Sequence, residues 1–190
     1  MSDAEPQAIV IGASAGALEA LSVILPSLSA DFRLPIIVVV HIPADKRSVL
    51  ADLFQAKCRI KVREAEDKEP VEPGTAYFAP PDYHLLMEAN GSLSLSTEEP
   101  VLFSRPSIDL LFESAADAYS AGLVAIVLTG ANQDGAKGLA AVVEAGGTAI
   151  VQTPAGAFAR AMPEAAIAAC PSARVMSLDA IATYLQEVNA

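Results

Sequence analysis

The sequence predicts an α/β fold with three layers, in which helices cover both faces of a mostly parallel, doubly wound sheet that carries one inserted antiparallel β-hairpin. Four short, continuous apolar runs rich in Ile and Val occupy residues 8–11, 35–40, 123–128 and 148–151. Such runs are typical of strands buried on both faces of a parallel sheet. Segments with helical spacing of apolar residues lie between them, so strand and helix alternate along the chain.

The predicted helices are placed by apolar residues that recur every three or four positions in segments 18–25, 49–54, 110–115 and 139–143. Gly122 and the pair Gly146-Gly147 stand where two of these patterns stop, as glycine does after a last helical turn. Ser177 is placed to cap a final helix from residue 178 to about residue 188.

One stretch interrupts the alternation. Three short strand-like runs at 76–79, 84–88 and 92–96 follow a Pro-rich loop, and Asn90-Gly91 lies between the last two runs. Asn-Gly is a favoured two-residue hairpin turn, so the sequence predicts an inserted antiparallel hairpin here.

Length and composition limit the function classes. A chain of 190 residues fits one domain over residues 1–190, and its net charge of −11 would repel a phosphate backbone, which disfavours nucleic-acid binding. No apolar run reaches the roughly 18–20 residues of a membrane span, and the first residues lack a signal-peptide pattern. We therefore expect a cytoplasmic, soluble protein without membrane insertion. Cys58 and Cys170 have no CxxC spacing, which argues against a disulfide framework and a zinc site.

Three polar residues follow three of the predicted buried strands. Ser14 lies in the small-residue turn after the first strand, His41 directly follows the second, and Asp134 lies in the loop after the run at 123–128. The carboxyl ends of parallel strands share one edge of the sheet, where ligands bind. A Ser, a His and an Asp at that edge are the groups of nucleophilic acyl transfer: the imidazole takes the hydroxyl proton and the carboxylate orients the imidazole.

Each of the three residues also has a simpler interpretation. Ser is favoured at a helix N-cap, a lone His at a strand end is more often structural, and an Asp before Gly usually belongs to a turn. A dinucleotide-binding loop is a further alternative for the glycines of the first turn. However, Gly12 and Gly16 do not form G-x-G-x-x-G, and the second strand ends in a His where a ribose-binding acid is expected.

Six segments resemble the catalytic domain of CheB-type chemoreceptor methylesterases: IVIGASAG, VVVHIP, PGTAYFAPPDYH, RPSIDLLF, VLTGANQDGA and AMPEAA. The resemblance implies a cofactor-free, metal-independent serine hydrolase that removes methyl from glutamate methyl esters of methyl-accepting chemoreceptors or other methylated signalling proteins, releasing methanol. Some members also deamidate receptor glutamine. Carried over by position, the nucleophile is Ser14, the base His41 and the orienting acid Asp134.

The turn after the first strand departs from the family, which commonly has G-A-S-T-G-G where this chain has G-A-S-A-G-A. The family also often has Met at the position of Ala131. Typical members place a phosphorylatable receiver domain ahead of the esterase, so we expect either a stand-alone homologue or an excised domain.

Five further residues are candidates around the triad. The backbone N–H groups of Ala15 and Ala131, with the neighbouring Gly130, are candidates for the oxyanion hole. His84 is expected to be a rim residue that packs the hairpin, with a second site residue as the alternative. Arg105 is expected at the rim of the substrate site, with an ordinary surface charge as the alternative. A catalytically silent CheB-like binding module in a chemosensory system is the alternative function, and release of methanol distinguishes the two.

Overall fold

Strands and helices alternate along most of the chain. The computed structural model describes residues 4–43 and 48–188. Within these residues the strands are β1 (Ala8–Ala13), β2 (Ile36–Val40), β3 (Lys61–Glu64), β4 (Thr75–Phe78), β5 (His84–Met87), β6 (Leu93–Ser96), β7 (Leu123–Val127), β8 (Thr148–Gln152) and β9 (Arg174–Met176). The α-helices are α1 (Ala17–Ile24), α2 (Leu50–Gln55), α3 (Ile108–Tyr119), α4 (Ala136–Glu144), α5 (Ala161–Ala169) and α6 (Leu178–Val188).

The main sheet has seven strands in the order β3-β4-β2-β1-β7-β8-β9. All of its neighbouring strands run parallel. From β1 the chain winds outward on one side through β2, and it later returns to the other side of β1 with β7. This reversal places a crevice at the carboxyl end of β1, where open α/β sheets bind ligands.

Two apolar layers fill the space between the sheet and its helices. Ile9 and Ile11 of β1 pack towards α1, α2 and α6, whereas Val10 between them packs towards α3, α4, α5 and the hairpin. Because successive side chains of a strand point to opposite faces, β1 must be apolar at every position to serve both layers. This is why the central strands are continuous apolar runs in the sequence.

The predicted fold class is confirmed, including the four central strands, which correspond to β1, β2, β7 and β8. The run at 76–79, predicted as one of three strand-like runs that interrupt the alternation, is strand β4 of the main sheet, where it pairs in parallel with β2 and β3. The two edge strands β3 and β9 were not predicted. Exposed residues occupy both of them, so neither contains the continuous apolar run that marks a doubly buried strand.

The antiparallel hairpin is formed by β5 and β6, as predicted. Its closing pair is Glu88 and Ser92, where the Glu88 N–H donates to the Ser92 carbonyl at 2.9 Å. The loop is therefore Ala89-Asn90-Gly91, one residue longer than the predicted two-residue turn. Gly91 has φ of 81°, the left-handed conformation that three-residue hairpin loops require.

The helix at the end of the described chain begins as predicted, since the Ser177 hydroxyl accepts a hydrogen bond from the Ala180 N–H at 3.1 Å. No helix in residues 4–43 and 48–188 combines the length and apolar character needed to cross a membrane.

Candidate active site

Ser14 lies one residue beyond β1, in a tight turn that leads into α1. Its N–H donates to the Thr129 carbonyl at 2.9 Å, and its own carbonyl accepts from the Ala17 N–H at 2.9 Å. Gly16 occupies the N-cap position of α1 with φ of 85°, and a Cβ there would lie 2.6 Å from Cβ of Phe158. Ser14 is therefore not the N-cap residue, and its hydroxyl is not used to start the helix.

His41 directly follows β2 and lies next to Ser14 across the sheet. Ala13 pairs with Val40 in the parallel register, so the next residue of each strand is Ser14 and His41. The His41 N–H donates to the Ala13 carbonyl at 3.2 Å, which extends the pairing by one step. Neighbouring strands are about 4.8 Å apart, so the serine and imidazole side chains emerge side by side.

The imidazole of His41 forms a direct contact with Asp134. Its Nε2 lies 2.7 Å from Asp134 Oδ2; the histidine side chain is 12% exposed and the aspartate side chain is fully buried. Because Nε2 binds the carboxylate, Nδ1 is the nitrogen left to accept a proton from Ser14. In the described residues no hydrogen bond joins the Ser14 hydroxyl to His41, so the structure brings base and acid together and places the serine beside them.

The carboxylate of Asp134 is held at the N-terminus of α3. Oδ2 accepts from the Ile108 N–H at 2.7 Å, and Oδ1 accepts from the Asp109 N–H at 2.9 Å and from the Ser107 hydroxyl at 3.3 Å. Burial by itself raises the pKa of Asp134, but the hydrogen bonds from His41 and from these backbone groups outweigh it and keep the pKa below its usual value. The acid is therefore ionised at neutral pH.

A cleft of about 350 Å³ opens beside His41. Arg105 lines it, and its guanidinium binds the carboxylate of Asp82 with an Nη2 to Oδ1 distance of 2.6 Å. Nη1 of Arg105 donates to the carbonyls of Thr97 and Glu98, each at 3.1 Å. Arg105 thus joins three segments of the cleft wall and has its charge paired within the chain.

The backbone N–H groups that are candidates for the oxyanion hole differ in whether they already donate a hydrogen bond within the chain. In the part of the chain that the structure describes, the N–H groups of Ala15 and Ala131 have no hydrogen-bond acceptor. The expectation for Gly130 is corrected, because its N–H already donates to the Ala159 carbonyl at 3.1 Å. The Thr129 hydroxyl donates to the Ala15 carbonyl at 2.8 Å and so fixes the peptide between Ala15 and Gly16.

Residues 9–185 match the sequence profile of a family described as CheB methylesterase. The chain belongs to the CheB methylesterase family. The crystal structure of the Thermotoga maritima CheB methylesterase catalytic domain superimposes with a TM-score of 0.92 at 34% identity, covering 97% of this chain and all of that one.

Two curated CheB relatives differ in how much of their length the chain matches. A Leptospira interrogans protein named "Putative protein-glutamate methylesterase/protein-glutamine glutaminase" is 47% identical over 176 residues, which are 93% of this chain and 91% of the relative. A protein-glutamate methylesterase/protein-glutamine glutaminase of Azospirillum brasilense is 36% identical over 187 residues, 96% of this chain and 48% of the relative. The chain thus spans about half the length of the second relative.

His84 of this CheB domain is the first residue of the hairpin strand β5. It belongs to the hairpin, but the prediction of a place at the rim is corrected, because the side chain is fully buried. Its Nδ1 accepts from the Ser107 N–H at 3.1 Å, and its Nε2 lies 3.0 Å from the Glu99 carbonyl. His84 therefore binds the backbone of Ser107, the residue that caps α3.

Ser107 and Asp109 are site residues that sequence reasoning missed. Ser107 caps α3 by accepting from the Leu110 N–H at 3.4 Å. A single sequence gives no sign that the start of α3 also binds the carboxylate of Asp134, which lies in a distant loop. No group of three or more His, Cys, Asp or Glu side chains within residues 4–43 and 48–188 is placed to hold a metal ion.

Proposed function

We propose that this CheB-family protein-glutamate methylesterase/protein-glutamine glutaminase uses Ser14 as nucleophile, His41 as base and Asp134 as orienting acid. Membership of the family implies chemoreceptor substrates, and we infer that the chain hydrolyses glutamate methyl esters of chemoreceptors or of other methylated signalling proteins. The observation that carries the proposal is the 2.7 Å contact of a partly exposed imidazole with a buried, ionised carboxylate beside Ser14.

The first half of the reaction forms an acyl-enzyme. Nδ1 of His41 takes the hydroxyl proton as Ser14 Oγ attacks the ester carbonyl, and Asp134 stabilises the imidazolium that results. The negative charge that develops on the carbonyl oxygen is met by the free Ala15 N–H, with Ala131 as the second candidate donor. Collapse of the tetrahedral intermediate breaks the ester C–O bond, and His41 returns its proton to the leaving methanol.

The second half repeats this chemistry with water. His41 removes a proton from a water molecule that attacks the carbonyl of the Ser14 ester. The bond from Oγ to the acyl carbon then breaks, His41 returns the proton to Ser14 Oγ, and the glutamate side chain leaves as a free carboxylate. A glutamine substrate follows the same route with ammonia as leaving group. The chain therefore needs no group beyond its own side chains and backbone for either reaction.

Release of methanol from a methyl-labelled chemoreceptor tests this function. The wild-type chain should release labelled methanol, whereas Asp134→Ala should release almost none, because the imidazole then has no carboxylate partner. Asp179→Ala, a change in the first turn of the distant helix α6, is the matched control and should behave as wild type. A wild-type chain that binds the receptor and releases no methanol would contradict the proposal and favour a silent binding module.

A further inference from the structure

Backbone N–H groups at the start of α3 and at the start of α4 each bind a carboxylate from the segment that begins the other helix. Asp134 precedes α4, and its oxygens accept from Ile108 and Asp109 at the start of α3. Asp109, in the first turn of α3, accepts through Oδ1 from the Gly135 N–H at 2.9 Å and from the Gly138 N–H at 2.7 Å. Both N–H groups lie at the start of α4. The N-terminus of each helix is therefore hydrogen-bonded to a carboxylate from the segment that begins the other helix.

These hydrogen bonds between α3 and α4 depend on close packing of the two helix backbones. A Cβ on Gly138 would lie 2.9 Å from Cα of Asp109 and 2.7 Å from Cβ of Phe112, so the two helices meet almost backbone to backbone. Gly135 adopts φ of 100°, which directs the chain from the Asp134 loop into α4. Asp109 is only 4% exposed, and its loss would leave two interior N–H groups without an acceptor.

We propose that Asp109 is a positioning residue for the reaction, acting through the Asp134 loop. By binding the N–H groups of Gly135 and Gly138, its Oδ1 fixes the segment that begins at Asp134, and so keeps the Asp134 carboxylate against His41. This inference rests on the proposed function, because it assigns the role of a fourth residue in the same site.

The role requires an acceptor oxygen rather than a charge. Burial raises the pKa of Asp109, the hydrogen bond from Gly138 opposes that effect, and the negative charge of Asp134 raises the pKa further. The other charges close to it are Glu113 on α3 and Lys137 on α4, which face each other at 3.5 Å. Whether protonated or ionised, the Asp109 carboxyl keeps an oxygen that can accept both N–H groups.

Asp109→Ala and Asp109→Asn separate the acceptor from the charge. We expect Asp109→Ala to lower kcat for methanol release by about 10²-fold with little change in KM, the cost of a misplaced catalytic group. Asp109→Asn should restore kcat to within about threefold of wild type, since its amide oxygen replaces the acceptor.

The control is Asp117→Ala, the same change at an exposed position of α3, which should leave kcat and KM as in wild type. A purely structural role would lower the free energy of unfolding of Asp109→Ala while the folded fraction keeps its kcat, and this would overturn the proposal. An Asp109→Asn variant as slow as Asp109→Ala would also overturn it.

A measurement without substrate separates this proposal from the proposed function. In proton NMR spectra, the His41 ring proton shared with Asp134 should keep its wild-type resonance in Asp109→Asn. Loss of that resonance in the folded Asn variant would overturn the positioning role even if Asp109→Ala failed to fold. A wild-type chain inactive on every glutamate methyl ester would instead refute the proposed function and leave the resonance unaffected.

Discussion

Asp134 shows how single contacts set the chemistry of this site. A buried carboxylate next to an imidazole is costly unless its oxygens are hydrogen-bonded, and here both oxygens accept from the start of α3. These bonds keep the pKa of Asp134 below its usual value despite burial. The ionised acid then binds Nε2 of the His41 ring, so that Nδ1 is left free of the carboxylate.

Replacing Asp134 with Asn tests this arrangement. The amide has the size of the carboxylate but has one oxygen and no charge, so it cannot accept from the helix and from His41 as the carboxylate does. We expect kcat to fall by about 10³–10⁴-fold, as when a triad imidazole is left in the wrong tautomer. Steady-state release of methanol at neutral pH, with Asp117→Asn as the control, measures the loss.

The same variant also carries a prediction about stability. A carboxylate whose pKa is lowered by folding stabilises the fold above its unfolded pKa, and this contribution disappears as the pH falls through the folded pKa. Thermal unfolding of Asp134→Asn should therefore depend less on pH in the acid range than unfolding of the wild type. Equal acid sensitivity of the two proteins would contradict the direction of the Asp134 shift.

At the scale of elements, the start of α3 connects the hairpin, the central strand and the triad. His84 of the hairpin binds Ser107, and Ile108 donates to Asp134. The side chain of Ile108 also packs on β1, where a Cβ at Gly12 would lie 2.4 Å from its Cγ2. The absence of a side chain at Gly12 of the central strand therefore permits the close approach of α3 to β1.

Gly12→Ala should push the start of α3 away from the sheet. We expect a loss of about 1–3 kcal/mol in the free energy of unfolding from overpacking, and a kcat reduced by roughly 10- to 100-fold because Ile108 moves with the Asp134 carboxylate. Denaturant unfolding and methanol release measure the two effects. Gly156→Ala is the matched control, since a Cβ there meets no atom within 4 Å. An unchanged kcat in folded Gly12→Ala would show that α3 does not position the acid.

For the whole molecule, the parallel sheet brings together groups that are far apart in the chain. His41 and Asp134 are separated by 93 residues, and both follow strands next to β1. The sequence was sufficient to predict these positions because doubly buried strands are continuous apolar runs, and the residue after each run must emerge at the sheet edge. The same rule did not find β3 and β9, whose exposed residues break the run.

Residues that act through a neighbour were beyond the reach of sequence reasoning. Asp109 and His84 differ in no local pattern from an ordinary helix residue and an ordinary strand residue. Their partners are backbone N–H groups of distant segments, Gly138 for Asp109 and Ser107 for His84. Backbone donors are the same at every position, so no residue type in the sequence marks the partner of a buried acceptor.

The most direct test of the account is the rate of methanol release by Ser14→Ala, by His41→Ala and by the double variant. Triad members act as a unit, so each single change should lower kcat nearly as far as both together. Ser172→Ala, at an exposed position, should keep the wild-type rate. Substantial activity in folded Ser14→Ala, or losses in the two single variants that multiply in the double variant, would contradict the assignment of Ser14 and His41 to one catalytic unit.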